Sequence, residues 1–252
     1  DAIDVLEAAT IGRPVIVAQT TVDVLRQEVA RWRDVPDDGY MSMGVHEGEL
    51  LRHVFSNTDV ARARERLERL LAWIREHFQV VPVSAAAVER HADKRELPKL
   101  IGECFSDSLL LASEERRVLV TDDLKLRFLA RQLFGADGIA SVNLLLAQRA
   151  AGSLDPQTAA TACMKLVVSN YRHVAVDATI LEAAARAEQW HPTGAFARVV
   201  DTLKGPDTQL QSAIVVAVEF LRIAWFALVL PQQRDAIVMA VLDALAVGRK
   251  QN

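Results

Sequence analysis

The chain has 252 residues, 51% of them apolar, with a net charge of −4 and a pI near 5.9. That is enough for one large domain or two small ones around a sizeable core, and it excludes a globally basic nucleic-acid binder, so any contact with phosphates must come from a local patch. The two cysteines, Cys104 and Cys163, lie far apart without metal-ligand spacing, which argues against a disulfide scaffold and fits a reducing, cytoplasmic compartment.

No signal peptide is visible at the N-terminus. The chain starts with Asp1 rather than Met, which leads us to expect a fragment of a longer protein. Residues 1–10 read as a helix with Ile3, Leu6 and Ile11 toward one face. Gly12 and Pro14 break it, and Val15-Ile16-Val17 reads as a buried strand. Thr20 or Thr21 can cap the next helix, which runs toward Trp32. Residues 34–39 form a loop around Pro36 and Gly39. A helix is expected near 47–55, and another from 57–59 through Leu67, Leu70, Leu71 and Ile74. Residues 79–83 are a second strand candidate. Ser84 caps a short helix, and residues 95–104 form a further one with Pro98 near its start. A helix opened by Asp107 then leads through a tight turn to a third strand, 118–120. Residues 123–134 are helical, and 139–142 are a possible fourth strand. Strands interleaved with helices imply a parallel sheet with helices on both faces.

From about residue 143 the character changes. Alanine and leucine content rises and β-branched runs largely stop. Asp155-Pro156 pairs an N-cap with proline at the first helical position, and similar starts occur at Asp177 and Thr193. Gly205-Pro206-Asp207 is a break, and Pro231 separates the last two helices. The most apolar run, 213–230, contains Glu219 and Arg222 and is slightly short for a membrane span, so no membrane partner is expected. The expected division is a sheet domain at 1–142 and a helical extension at 143–252, packed as a bundle or layer.

The chemistry sits in the segment from Asp107 to Asp123. A short helix beginning at Asp107 leads into the strand at 118–120, which ends in Thr121-Asp122-Asp123. The carboxyl end of strands is where ligands bind in α/β folds. Carboxylates brought together there repel one another unless a cation sits among them, and hard oxygen ligands suit Mg²⁺ or Mn²⁺.

These elements resemble the PIN domain family of metal-dependent ribonucleases. Ser106-Asp107-Ser108 with the apolar run Leu109 to Ala112 is similar to the family's helix-opening Asp, and Val118-Leu-Val-Thr-Asp-Asp123 to its Thr-x-Asp after a strand. By that resemblance Asp107 and Asp123 are metal ligands, with Asp122 beside them in the catalytic set. Thr20-Thr-Val-Asp23 places Asp23 about where the family carries a further acid, which makes it the third implied metal ligand, with Glu28 as its fallback. The family's first acid has no counterpart: Asp1 and Asp4 lie too close to the Val15 strand. The resemblance covers about residues 1–145. The helical tail, notably Leu166 to Tyr171 and 231–245, looks similar to extensions of PIN-like domains at the C-termini of large bacterial helical-repeat proteins. The implied function is hydrolysis of RNA with a Mg²⁺ or Mn²⁺ ion that polarises the phosphate and acidifies a water for in-line attack. Arg116, Arg117, Lys125, Arg127 and Arg131 are placed to attract the RNA backbone. If the first acid is missing, the alternative is a catalytically incomplete module serving assembly or nucleic-acid binding, with other regions of a parent protein as partners.

Plainer roles compete at each position. Asp107 after Ser106 is an ordinary helix start, and Asp122 or Asp123 can simply cap a helix and complement its dipole. Asp23 can be a solvated first-turn acid. Glu103 can join the carboxylates or pair with Lys99. Glu49 and His53 on one helix face, with His46 a turn or so away, would suit a transition metal but read better as surface groups. Cys104, Ser106 and Ser108 lack partners for nucleophilic catalysis.

Overall fold

The computed structural model describes residues 2–46, 49–94, 96–114, 117–171, 174–205 and 208–247. They form two compact units: residues 13–140, and a second that joins 1–12 to 141–252. The opening helix α1 (Ala2–Thr10) therefore packs in the helical unit rather than with the strands that follow it.

The first unit begins with β1 (Ile16–Ala18) and α2 (Gln19–Arg33). Next comes a β-hairpin, β2 (Tyr40–His46) and β3 (Glu49–Phe55), where the sequence reading placed a helix at 47–55. The reason is visible in the pairing. Met41, Met43 and Val45 alternate with Tyr40, Ser42 and Gly44, a period of two that suits a strand. Tyr40 stacks on Phe55 at 4.6 Å, and Trp32 meets Tyr40 edge-on at 6.1 Å, so aromatic contacts anchor the base of the hairpin. Gly39, at φ +96°, lies so close to the Phe55 carbonyl that a β-carbon would collide with it.

After the hairpin, α3 (Asn57–His77) starts at Ser56, whose hydroxyl accepts from the Asp59 amide in a capping box. Helices α2 and α3 enclose a core of Val22, Val29, Leu71 and Ile74. β4 (Gln79–Val81) then pairs in parallel with β1, Val17 opposite Val80. Ser84 caps α4 (Ala85–Arg90) as expected. A short α5 (Leu97–Ile101) ends at Gly102, and α6 (Glu103–Ala112) follows directly. Then come β5 (Leu119–Val120), α7 (Leu124–Phe134) and β6 (Gly138–Ile139), with β5 and β6 paired in parallel. The parallel pairing follows the expectation, but as two separate two-stranded ladders. Helix α6 touches β1, β5, α2, α4, α5 and α7. Its Leu109 is fully buried with Leu97, Leu119, Ala130 and Phe134.

The helical unit comprises α1 with α8 (Ser141–Ala150), α9 (Pro156–Val168), α10 (Ala178–Ala187), α11 (Gly194–Asp201), α12 (Leu210–Phe226) and α13 (Pro231–Ala246). α1 packs on α8 and α9, and the buried Gln148 amide donates to the Ile11 carbonyl at 3.0 Å. Phe196, Phe220, Ile180, Leu181, Ile237 and Val241 fill the core between α10 and α13. Cys163 on α9 is also buried, and burial, aided by the Asp177 carboxylate, pushes its thiol up to about 11. A thiol so rarely ionised is a packing group. No helix among the described residues is long and apolar enough to cross a membrane.

Two stability predictions follow from this packing. Gly39→Ala, by denaturant unfolding, is expected to cost about 1–3 kcal/mol, since the new methyl meets backbone at a positive φ. Asp177 caps α10 and binds Arg149 at 3.0 Å. Burial opposes its ionisation, but Thr179, the Ile180 amide and Arg149 outweigh it and hold the carboxyl below its ordinary 3.8. Its stabilisation is complete above pH 3.8 and is lost as the pH falls through the lower native value. Asp177→Ala is therefore expected to lose about 1 kcal/mol at neutral pH, with the gap to wild type closing in acid.

Candidate functional site

β1 hands the chain to α2 without a loop, so Thr20 falls in the first turn of the helix at the strand's C-terminal end. Its hydroxyl donates to Asp107 Oδ2 at 2.8 Å, across 87 positions of sequence. Asp107 does not open its helix. α6 begins at Glu103 behind Gly102, and Asp107 lies one turn further on. The capping role considered for Asp107 is thereby removed. The residue is half-buried, and the Thr20 hydroxyl is brought to it by tertiary structure.

Asp123 does cap. Its Oδ1 accepts from the Lys125 amide at 2.7 Å and the Leu126 amide at 3.1 Å, which fixes the start of α7. The side chain is exposed, and its Oδ2 makes no hydrogen bond or ion pair among the described residues. Thr121 supports the turn by accepting from the Asp123 amide at 3.3 Å. Asp122 is half-buried beside it.

Asp23 is engaged along its own helix. Its Oδ1 accepts from Gln19 at 2.9 Å and from Arg26 at 2.7 Å, so its charge is met locally. Glu28 binds Trp32 and Arg31 in the same way. Among the described residues no three His, Cys, Asp or Glu side chains gather closely enough to hold a metal ion. A hard divalent ion does not require such a cage. Mg²⁺ keeps several waters and is commonly held by one or two carboxylates together with substrate phosphate. Asp107, and the uncommitted oxygen of Asp123, are donors of that kind.

The cations differ in their availability. Lys125 and Arg131 are exposed on α7. Arg127 donates to the Thr121 carbonyl at 2.6 Å, tying α7 to the end of β5, and its stem leaves no room for a β-carbon on Gly138. Arg117 pairs with Glu114 at 2.6 Å. Arg116 lies outside the described residues. Lys99 binds Glu96, not Glu103, which leaves Glu103 exposed one turn before Asp107.

The transition-metal alternative fails on geometry. Glu49 and His53 stand on β3, not a helix, where four residues span about 13 Å; the side chain of His46 lies outside the described set. Sequence reasoning missed two groups. Thr20 was taken only as a cap, though it lies three residues beyond the β-branched run Val15-Ile16-Val17, near the expected strand end. His91 packs edge-on to Phe134 at 4.9 Å. Burial first, then Lys94, lowers its pKa. No sequence pattern marks it.

Asparagine caps a helix about as well as aspartate. Asp123→Asn is therefore expected to unfold within about 0.5 kcal/mol of wild type and Asp123→Ala about 1 kcal/mol below it; thermal melts followed by circular dichroism distinguish the two.

Comparison with known families matches residues 2–132 to the family described as "PIN domain associated with the TPR-GreAB-C-PIN system". Comparison with curated proteins and with solved structures gave no match.

Proposed function

Because the chain belongs to this PIN domain family, with its nuclease-type fold, we propose that it is a divalent-metal-dependent ribonuclease acting at Asp107 and Asp123. The observation that carries the reading is the Thr20–Asp107 hydrogen bond. It ties Asp107 to Thr20 beyond the C-terminal end of β1, and the start of α6 at Glu103 leaves Asp107 without a capping duty. Asp123 stands just beyond the C-terminal end of β5, and α6 packs on both strands.

In this reading Thr20 orients the Asp107 carboxylate, and the α7 amides orient that of Asp123. Asp122 adds negative potential beside them. Asp23 stands one turn from Thr20 on the same helix face, with its charge offset by Arg26. A Mg²⁺ or Mn²⁺ ion would supply Lewis-acid polarisation of a phosphate and acidify a water. Lys125 and Arg131 attract the RNA backbone, and Arg127 positions the start of α7 through Thr121. A cytoplasmic setting suits two unpaired cysteines.

The second reading is a catalytically incomplete PIN-like module that binds nucleic acid or joins a larger assembly. The absence of a three-carboxylate cluster among the described residues favours it. The family's link to a system whose description includes TPR supports protein segments as partners.

Cleavage of single-stranded RNA with Mn²⁺ decides between the two. Asp107→Asn and Asp123→Asn are each expected to lower the rate about a hundredfold or more, with unchanged melting. Wild-type rates in both variants would eliminate the site, and RNA binding without any Mn²⁺-dependent cleavage by the wild-type protein would favour the incomplete module.

A further inference from the structure

Helix α7 is the most one-signed element near the candidate site. Between Asp123 and Asp137 the chain carries Lys125, Arg127 and Arg131 and no acid, against a net charge of −4 for the whole protein. Several arginines elsewhere in this unit pair with nearby carboxylates, as in Arg26–Asp23, Arg31–Glu28, Arg33–Glu68 and Arg117–Glu114. Among the described residues Lys125 Nζ and the Arg131 guanidinium have no such partner.

An aromatic ring lies between these two cations. Phe128 is 62% exposed, one turn after Lys125 and one turn before Arg131, on the same helix face. The helix does not lack an inward side for aromatic rings: Phe134 is 8% exposed and packs with Ala130 and Leu109. Phe128 instead presents its ring to solvent, with Leu124 beside it at 70% exposure. An apolar protein surface would bury the ring but leave two unneutralised cations at its rim. A polyanion with flat, unpaired rings satisfies both. Base–aromatic stacking with basic groups along the backbone is how single strands are held, and a duplex keeps its bases stacked inside.

We propose that Phe128 is a base-stacking platform for single-stranded RNA, with Lys125 and Arg131 taking the phosphates on either side. The proposal rests on the RNA-cleaving reading for its choice of polymer. It is tested separately from cleavage by fluorescence anisotropy with a labelled single-stranded oligoribonucleotide in EDTA, at fixed salt. Phe128→Ala is expected to weaken binding about tenfold. Phe128→Trp is expected to restore it, and the affinity for an RNA duplex is expected to be the same in Phe128→Ala and wild type. Lys125→Ala with Arg131→Ala is expected to weaken both RNAs and flatten the salt dependence. Wild-type binding by Phe128→Ala, failure of Trp to rescue, or equal loss for the duplex would each overturn the platform. Cleavage that survives Asp107→Asn and Asp123→Asn would overturn the catalytic reading and leave the stacking result standing.

Discussion

The first unit depends on how α6 is buried. Leu109 has no exposed surface, and the helix around it touches both parallel ladders and four other helices. Neither ladder could persist alone, since two strands of two or three residues bury too little to offset their ordering. α6 lies against both β1 and β5 and so links the two ladders in one unit, its Leu109 packing with Leu119 of β5 while Val17 and Val80 join the α2–α3 core. The same packing carries Asp107 to Thr20. Leu109 and Asp107 are two positions apart, so the burial of one directs the other away from the core and toward the end of β1.

The carboxylates differ in what holds them. Asp107 is held by a side chain from a remote part of the chain, Asp123 by amides of its own helix, and Asp23 by neighbours on α2. Only the first needs the folded unit to be oriented at all. Asp123 combines a structural duty with an uncommitted oxygen, which is why a cap and a ligand are compatible readings of one residue. Asp23 has its charge met by Arg26, which lowers its value as a ligand for a further cation.

The helical unit follows a simpler logic. Its starts are written locally: Asp155 and Asp177 each accept two backbone amides at the head of a helix. Small residues on the inner faces, such as Ala183 to Ala185 and Ala213, Ala217 and Ala224, allow close approach around Phe196 and Phe220. The exposed Trp225 is covered on one face by Arg234 at 4.6 Å, an aromatic partly shielded by a cation rather than by the core.

The amino-acid sequence by itself determined what depends on near neighbours: the α/β character with parallel pairing, and the caps at Ser84, Asp155 and Asp177. Capping and burial periodicity act over a few residues, so they leave a readable pattern. It misplaced 47–55 because Leu50, Leu51 and Val54 also fit a helical spacing, and only their pairing with Met41 to Val45 makes them a strand. It set α1 with the sheet because proximity in sequence does not say which core a helix joins. Only the tertiary structure decided that Asp107 answers to Thr20, that Asp23 answers to Arg26, and that Arg127 binds the end of β5 while Lys125 and Arg131 make no ion pair among the described residues. Those outcomes depend on side-chain direction across elements far apart in the chain, which no local pattern encodes.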